Sequence, residues 1–291
     1  MSIAIHSRQV CSASIEFLEK ITLLAKDYNK KVIISTTFAQ LLNLNELNCL
    51  KYLSIFDIEA LNALHVELMI SLGGDGTLLE TTHYINDKAI PLLGVNTGTL
   101  GFLTMLSCSE AVTELIHFFE GDYAIEQRTI LSLCGEHISD AFALNEVALL
   151  KRDTASLLTI DAYIDEKFIT TYWADGLIIA TPTGSTAYSL SCLGPIMLPS
   201  ANNFVITPLS PHNLAVRPLV VPETAKLSFI VKGRDKDMLI AVDGRSIPAA
   251  TQQRLVIEKA PFILKLVQLG HTSLFDVLRE KLYWGMDCRK T

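Results

Sequence analysis

The sequence predicts two folded parts of different class. An α/β domain with a mostly parallel sheet spans 1–122, and an all-β domain spans 123–272. A helix over 273–291 closes the chain by packing back on the first domain. Three observations carry this. Strand-length apolar runs alternate with helix-period segments as far as Gly121, the pattern of a three-layer domain. After Asp122 helical segments almost vanish, and short runs rich in Ile, Leu, Thr and Tyr follow one another, as in an all-β fold. Ser273 then stands as an N-cap before a last helical stretch, Leu274 to Tyr283.

In the first domain, Ser2 to Ile5 read as a strand, and Phe17, Ile21, Leu24 and Tyr28 mark one face of a helix over Ser12 to Tyr28. Val32 to Ser35 is strand-like and Phe38 to Leu44 helical, and Asp57 caps a short helix from Ile58 to Leu64. Leu68 to Leu72 is a buried strand that runs into Gly73-Gly74-Asp75-Gly76, with Thr77 expected to cap a helix through Ile85. Ile90 to Asn96 is a second buried strand, entering the loop Thr97 to Phe102. Ser107 and Glu110 form a capping box for a helix that stops near Gly121.

The second domain reads as strands at Ala124 to Leu133, Ala143 to Leu150, Leu157 to Ile164, Phe168 to Trp173 and Gly176 to Ala180. Further strands fall at Val205 to Thr207, Lys226 to Lys232, Met238 to Val242, Leu255 to Lys259 and Ile263 to Leu269. Asp165-Glu166 and Asp243-Gly244-Arg245 are tight turns, and one helix is expected over Ala187 to Leu193. No internal repeat or low-complexity linker interrupts the chain.

Composition bounds the function. With 49% hydrophobic and 19% charged residues the chain is an ordinary globular protein. A formal net charge of −7 with no basic block argues against a nucleic-acid partner. Six cysteines, Cys11, Cys49, Cys108, Cys134, Cys192 and Cys288, fall in no metal-binding spacing, so no metal ligands are assigned and a reducing compartment is expected. No leader pattern opens the sequence, and no apolar run reaches the roughly 18 residues of a membrane span. A cytoplasmic protein without a membrane partner is expected.

The chemistry centres on the glycine turn. Gly73, Gly74 and Gly76 clear side chains from a strand-to-helix junction whose N–H groups suit phosphates. Asp75 places one carboxylate there, a candidate proton acceptor or metal ligand, with a plain turn aspartate as the alternative. A second polar stretch follows a strand, Thr181-Pro182-Thr183-Gly184-Ser185-Thr186-Ala187-Tyr188. Its hydroxyls suit a base or ribose and Tyr188 offers a stacking face; a capped polar loop is the alternative. Asn145-Glu146 interrupts an apolar strand, and buried polar side chains there fit ribose hydroxyl recognition. A strand-end turn, or an ion pair with Lys151 or Arg152, explains them equally. Arg245 either faces a phosphate or sugar or is a solvated turn residue, and the Pro211 to Pro222 stretch with His212 and Arg217 reads as scaffold. Neither the P-loop signature nor the dinucleotide G-x-G-x-x-G appears.

Taken in order, Gly73-Gly-Asp75-Gly-Thr77, Asn145-Glu146, Asp175-Gly176, Thr181 to Ser189 and His212-x-x-x-x-Arg217-Pro218-Leu219 resemble the successive signatures of NAD kinases. The Leu278-Arg-x-Lys281-Leu-x-Trp284 tail resembles the family's C-terminal helix, so the likeness covers about residues 68 to 285. The glycine motif alone is shared with phosphofructokinases and lipid kinases. The resemblance implies transfer of the γ-phosphoryl of ATP to the 2′-hydroxyl of the adenosine ribose of NAD, with Mg²⁺ or another divalent cation on the donor. It implies Asp75 as the catalytic residue. Gly76, Phe102, Asn145, Glu146, Asp175, Thr186, Ala187, Tyr188, Ser189, Leu190, Ser191 and Arg245 join Asp75 as ligand-binding positions, with the dinucleotide held between the two domains. A homo-oligomer, a tetramer by the same resemblance, is also implied. Two positions depart from the commoner pattern: Trp173 replaces an arginine and Leu193 replaces a glycine. A lipid or sugar kinase, or a non-catalytic nucleotide-binding regulator, are the rival readings.

Overall fold

A computed structural model describes residues 1–42, 53–136, 138–152, 156–233, 237–270 and 273–284, with the backbone alone at 139 and 140. It divides into two compact units, Met1–Glu126 with Leu264–Thr291, and Gln127–Ile263.

The first unit alternates strands and helices. In chain order these are β1 (Ser2–His6), α1 (Ser12–Asp27), β2 (Lys31–Ser35), α2 (Thr36–Leu41), β3 (Ser54–Phe56), α3 (Ile58–Leu61), β4 (Val66–Leu72), α4 (Asp75–Ile85), β5 (Leu92–Asn96), β6 (Leu106–Ser107) and α5 (Cys108–Glu120). The strands pair in parallel in the order β5-β4-β1-β2-β3, with β6 beside β5. Chain order reverses between β1 and β4, the place where such sheets bind ligands at the carboxyl ends of their strands. The last five residues of β4 are buried, Met69 at 0% exposure, because helices cover both faces of a parallel sheet. Phe17, Leu18 and Ile21 of α1 and Leu115 and Phe118 of α5 join Ile5, Ile70 and Val95 in one core. Each such side chain contributes roughly 1.5–3 kcal/mol by leaving water.

The second unit holds β7 (Ala124–Gly135, beginning in the first unit), β8 (Ile138–Ala143), β9 (Glu146–Lys151), β10 (Leu158–Ile164), β11 (Lys167–Ala174), β12 (Gly176–Ala180), a 3₁₀ turn (Thr183–Thr186), α6 (Tyr188–Ser191), β13 (Asn203–Leu209), β14 (Leu219–Pro222), β15 (Leu227–Lys232), β16 (Asp237–Val242), β17 (Arg245–Ala250) and β18 (Arg254–Gln268). One antiparallel sheet runs β14-β13-β12-β9-β16-β17. The other runs β11-β10-β15-β18, with β7 paired to β18 and β8. Leu177 and Ile179 of β12 enter the core shared by both sheets, while Ile178 and Ala180 enter a second cluster with Ala148, Met197 and Val205. A strand covered on both faces must be apolar at every position, and all five residues of β12 are buried. The helix α7 (Leu274–Leu282) belongs to the first unit, where Val277 and Leu278 are buried.

Several expectations are corrected. Thr77 does not cap α4: the helix begins at Asp75, and the Gly74 carbonyl accepts from the Thr77 and Leu78 N–H groups. The turn tightens as soon as the glycines allow it. The strand expected over Ala143 to Leu150 is two elements, because the chain turns between β8 and β9 at Leu144 and Asn145. The strands expected over Leu255 to Lys259 and Ile263 to Leu269 are one, β18. Pro261 falls between its pairing to β15 and the Leu266–Leu92 pairing in the first unit, and disrupts neither. The short strands β3 and β14 were not anticipated, since Ser54–Phe56 and Leu219–Pro222 are too brief to show a period. Segment Ile58 to Leu64 is helical only to Leu61. Of the helix expected over Ala187 to Leu193 only the single turn α6 forms, preceded by the 3₁₀ turn. Residues 43 and 44 of the helix expected over Phe38 to Leu44, and Cys49 and Cys288, lie outside the described residues.

Candidate active site

The first unit supplies the glycine turn. Gly74 and Gly76 are exposed, and a Cβ added at either would meet open space, so backbone N–H groups at the start of α4 stand open to an anion. Asp75 does not point freely into this turn. Its Oδ1 accepts from Leu103 N (3.0 Å), Thr104 N (3.1 Å) and Thr104 Oγ1 (3.0 Å), while its Oδ2 accepts from Phe102 N alone at 2.8 Å. Three donors fill Oδ1 and one leaves Oδ2 with spare lone-pair capacity. Gly101 makes this possible, because a Cβ there would overlap the Asp75 carboxylate. Phe102 is part-buried, and Lys281 of α7 lies 5.9 Å from its ring centroid, within cation–π range.

Behind the turn, beside the β1/β4 reversal, His6 is fully buried. Its Nδ1 is 2.8 Å from Ser35 Oγ and its Nε2 3.4 Å from Glu80, which also meets Arg8 Nε at 3.0 Å. Burial, aided by the Arg8 charge, lowers the imidazole to about 4. It is therefore neutral near pH 7 despite the nearby carboxylate, whose charge Arg8 meets. A cavity of about 270 Å³ beyond the end of β5 is lined by Phe17, Lys20, Asn96, Gly98 and Cys108 among others. Neither Asp75 nor the glycine turn lines it, so the chemistry is not placed there.

The second unit gathers most of the remaining expected positions at the ends of β9 and β12. Asn145 and Glu146 are 8% and 9% exposed, and Asn145 Oδ1 and Glu146 Oε2 are buried with no hydrogen-bond partner. Unpaired buried oxygens cost free energy unless a ligand meets them. Burial, then the charge of Asp243, pushes the Glu146 carboxyl up to about 7, and the Tyr188 backbone N–H works the other way. The ion-pair reading of Glu146 is closed: Lys151 pairs with Asp175, and Arg152 with Asp237.

The Thr181 to Ser191 stretch is held from inside. Thr181 Oγ1 donates to Leu144 O at 2.5 Å, Ser185 Oγ to Pro182 O at 2.7 Å, and Ser189 Oγ lies 2.9 Å from Thr207 Oγ1. Thr181, Ser185 and Ser189 are thus scaffold hydroxyls, whereas Thr186, Ala187 and Leu190 are part-buried and Tyr188 and Ser191 exposed. The Tyr188 phenol is raised by burial and by Cys192, Glu146 and Asp175 around it. Gly184 packs so closely on Asn145 that a Cβ would overlap its backbone. Arg245 is exposed at the start of β17, and its charge acts on Asp243. Trp173 is 51% exposed, and Leu193 adopts φ 65, the left-handed conformation that a glycine in its place accepts without strain.

The matched families decide the identity. An ATP-NAD kinase N-terminal domain model matches residues 15–123, and an ATP-NAD kinase C-terminal domain model matches 144–269. The chain belongs to the NAD kinase family. An NAD kinase of Cytophaga hutchinsonii is 46% identical over 226 residues, 77% of each chain. One of Flavobacterium psychrophilum is 37% identical over 99% of this chain and all of the relative. Among solved structures, yeast NADH kinase complexed with NADH superposes with a TM-score of 0.88 at 25% identity, covering 100% of this chain and 90% of that one. An Archaeoglobus fulgidus NAD kinase in complex with ATP superposes at 0.75 over 97% and 99%, and at 24% identity shows the fold. As an NAD kinase the chain is a phosphotransferase. Two features of its site gave no sequence signal: the Phe102 to Thr104 donors on Asp75, and Asp243 against Leu144 to Glu146. Each joins residues far apart in the chain.

Proposed function

We propose that the γ-phosphoryl of ATP passes to the 2′-hydroxyl of the adenosine ribose of NAD, with Asp75 Oδ2 accepting the hydroxyl proton. The carrying observation is the pair of buried, unpartnered oxygens on Asn145 and Glu146, which ribose hydroxyls satisfy. Asp175, Tyr188, Arg245 and the Thr186–Ser191 segment contribute the rest of the second unit's dinucleotide contacts, and Phe102 is a contact residue of the first unit. The phosphates rest on Gly74 and Gly76, whose backbone is open. In phosphoryl transfer positioning and charge neutralisation do most of the work, and the fixed carboxylate of Asp75 supplies position. Mg²⁺, when bound with ATP, neutralises charge on the transferring group. Such a cation is expected to take few protein ligands and to be carried mainly by the triphosphate.

Self-association into a homo-oligomer is supported by exposed Leu219 and Val220 on the sheet-edge strand β14. No helix among the described residues is long and apolar enough to cross a membrane. The scattered cysteine spacing, which fits no disulfide framework, supports the expected cytoplasmic setting. A coupled assay of NADP formation, run with ATP or polyphosphate and with NAD or NADH, tests the reading. ATP- and NAD-dependent NADP formation is expected. Phosphorylation of a lipid or sugar without NADP, or NAD binding without turnover, overturns it in favour of a rival.

A further inference from the structure

We propose that Asp243 is a positioning residue for NAD: it clips the start of β9 so that Asn145 and Glu146 meet the dinucleotide. This rests on the assignment of Asn145 and Glu146 to NAD. The turn after β16 places Asp243 at φ 48 and Gly244 at φ 79, a two-residue hairpin of the type Asp-Gly favours. From there the carboxylate reaches back across 97 to 99 positions of sequence. Oδ2 accepts from Leu144 N at 2.7 Å, and Oδ1 accepts from Asn145 N at 2.8 Å and Glu146 N at 3.1 Å. The Asp243 N–H returns the contact by donating to Glu146 O at 3.1 Å.

Three consecutive backbone donors are thus satisfied by one side chain. They lie where the chain leaves β8 and has no ladder partner of its own for Leu144 and Asn145. On the other side Thr181 N donates to Asn145 O at 2.9 Å and Thr181 Oγ1 to Leu144 O. The backbone of Leu144 and Asn145 is therefore pinned from both directions, while the two side-chain oxygens of Asn145 and Glu146 are left unmatched. A segment held this firmly but with side-chain oxygens unserved is arranged for a ligand, since folding alone gains nothing from leaving them unpaired.

The clip also brings one carboxylate beside another. Glu146 faces Asp243 and the backbone of Tyr188. The Tyr188 phenol in turn faces Cys192 and Asp175, and Arg245 faces Asp243. Burial pushes Asp243 up, but its three N–H donors and Arg245 favour the ionised form. The Asp243 charge adds to burial in raising Glu146, whose second oxygen has no partner.

Asp243→Asn tests the proposal. It keeps the shape but removes the charge and turns an amide donor toward one of the three N–H groups. The expected result is a rise of about tenfold in KM for NAD, the worth of one well-placed hydrogen bond, with KM for ATP changed less than about twofold. The pH at which NAD affinity turns over should move to the acid side, because the charge raising Glu146 is gone. In an Asn145→Ala/Glu146→Ala background the Asp243→Asn effect on NAD should largely disappear. Gly244→Ala, which strains the turn and leaves every contact atom in place, should give the same selectivity in weaker form. Equal loss for NAD and ATP, an unmoved pH profile, or full additivity with the Asn145/Glu146 changes would overturn the proposal and make Asp243 a fold residue only. If the Asn145/Glu146 changes themselves leave NAD affinity intact, the assignment of those two residues fails instead.

Discussion

Asp75 and Glu146 are both carboxylates near strand ends, and the molecule treats them oppositely. Asp75 in the first unit receives four donors from Phe102, Leu103 and Thr104. Glu146 in the second unit is buried, keeps one oxygen without a partner and has a second carboxyl group, Asp243, beside it. The first arrangement fixes a carboxylate in space. The second leaves one hungry for a hydrogen bond and ready to hold a proton near neutrality. Local donors and burial, and not residue type, set the role of a carboxyl group.

The sharpest way to test that contrast is to remove each carboxylate in turn. Asp75→Asn should lower kcat by about 10²–10⁴-fold, the usual worth of a general base, with little change in KM for NAD. Glu146→Gln should leave kcat close to wild type and raise KM for NAD by up to about tenfold at pH 8, where the wild-type group is ionised and accepts charge-assisted bonds. Steady-state kinetics in both substrates separates the two. If both variants lower kcat alone, the division of roles is wrong.

The glycines that allow each arrangement give the next test. Gly101→Ala forces the Asp75 carboxylate aside, and Gly184→Ala pushes on the Asn145 backbone. Overpacking of this kind costs about 1–3 kcal/mol. The loss should appear in kcat for Gly101→Ala and in NAD affinity for Gly184→Ala, while circular dichroism shows both variants folded.

A smaller effect lies in stability against pH, where the two units again oppose each other. The folded-state value of Glu146, about 7, lies above that of an unfolded carboxylate, so its contribution is complete at low pH and is lost as pH rises through about 7. The folded-state value of His6, about 4, lies below that of an unfolded histidine, so its contribution is present above about pH 6.5 and is lost as pH falls toward 4. Each is worth up to about 3 kcal/mol by the usual conversion. Thermal melts should show Glu146→Gln gaining most over wild type near pH 8 and His6→Gln losing its disadvantage near pH 4.5. Because the two contributions oppose each other in the wild type, each is read from its variant's difference from wild type: a Glu146→Gln or a His6→Gln difference that stays constant from pH 4.5 to 8.5 removes that attribution.

Least is expected of a change away from either carboxylate. Gly121 ends α5 at φ 82, whereas Leu193 occupies φ 65 after α6 with its side chain 88% exposed. Leu193→Gly should therefore raise stability by about 1 kcal/mol and Gly121→Ala should lower it by a similar amount. Opposite shifts in melting temperature check the pair.

The sequence alone determined the class of each unit, because hydrophobic period is a local property. The run Leu68–Leu72, the alternation up to Gly121, the capping pair Ser107–Glu110 and the Ser273 cap needed no distant partner to be read. It also exposed Asp75, Asn145, Glu146 and Tyr188 as candidates, since polar residues interrupting apolar strands or glycine turns stand out against their neighbours. Tertiary structure decided what those residues experience. That Asp75 Oδ1 is filled and Oδ2 open depends on a loop 27 to 29 positions away, and that Glu146 holds a proton near neutrality depends first on its burial and then on the charge of Asp243, 97 positions on. Burial and hydrogen-bond geometry are sums over whatever the fold brings near. No window of sequence contains those neighbours, so the identity of a carboxylate can be read from the chain but its protonation and its free lone pair cannot.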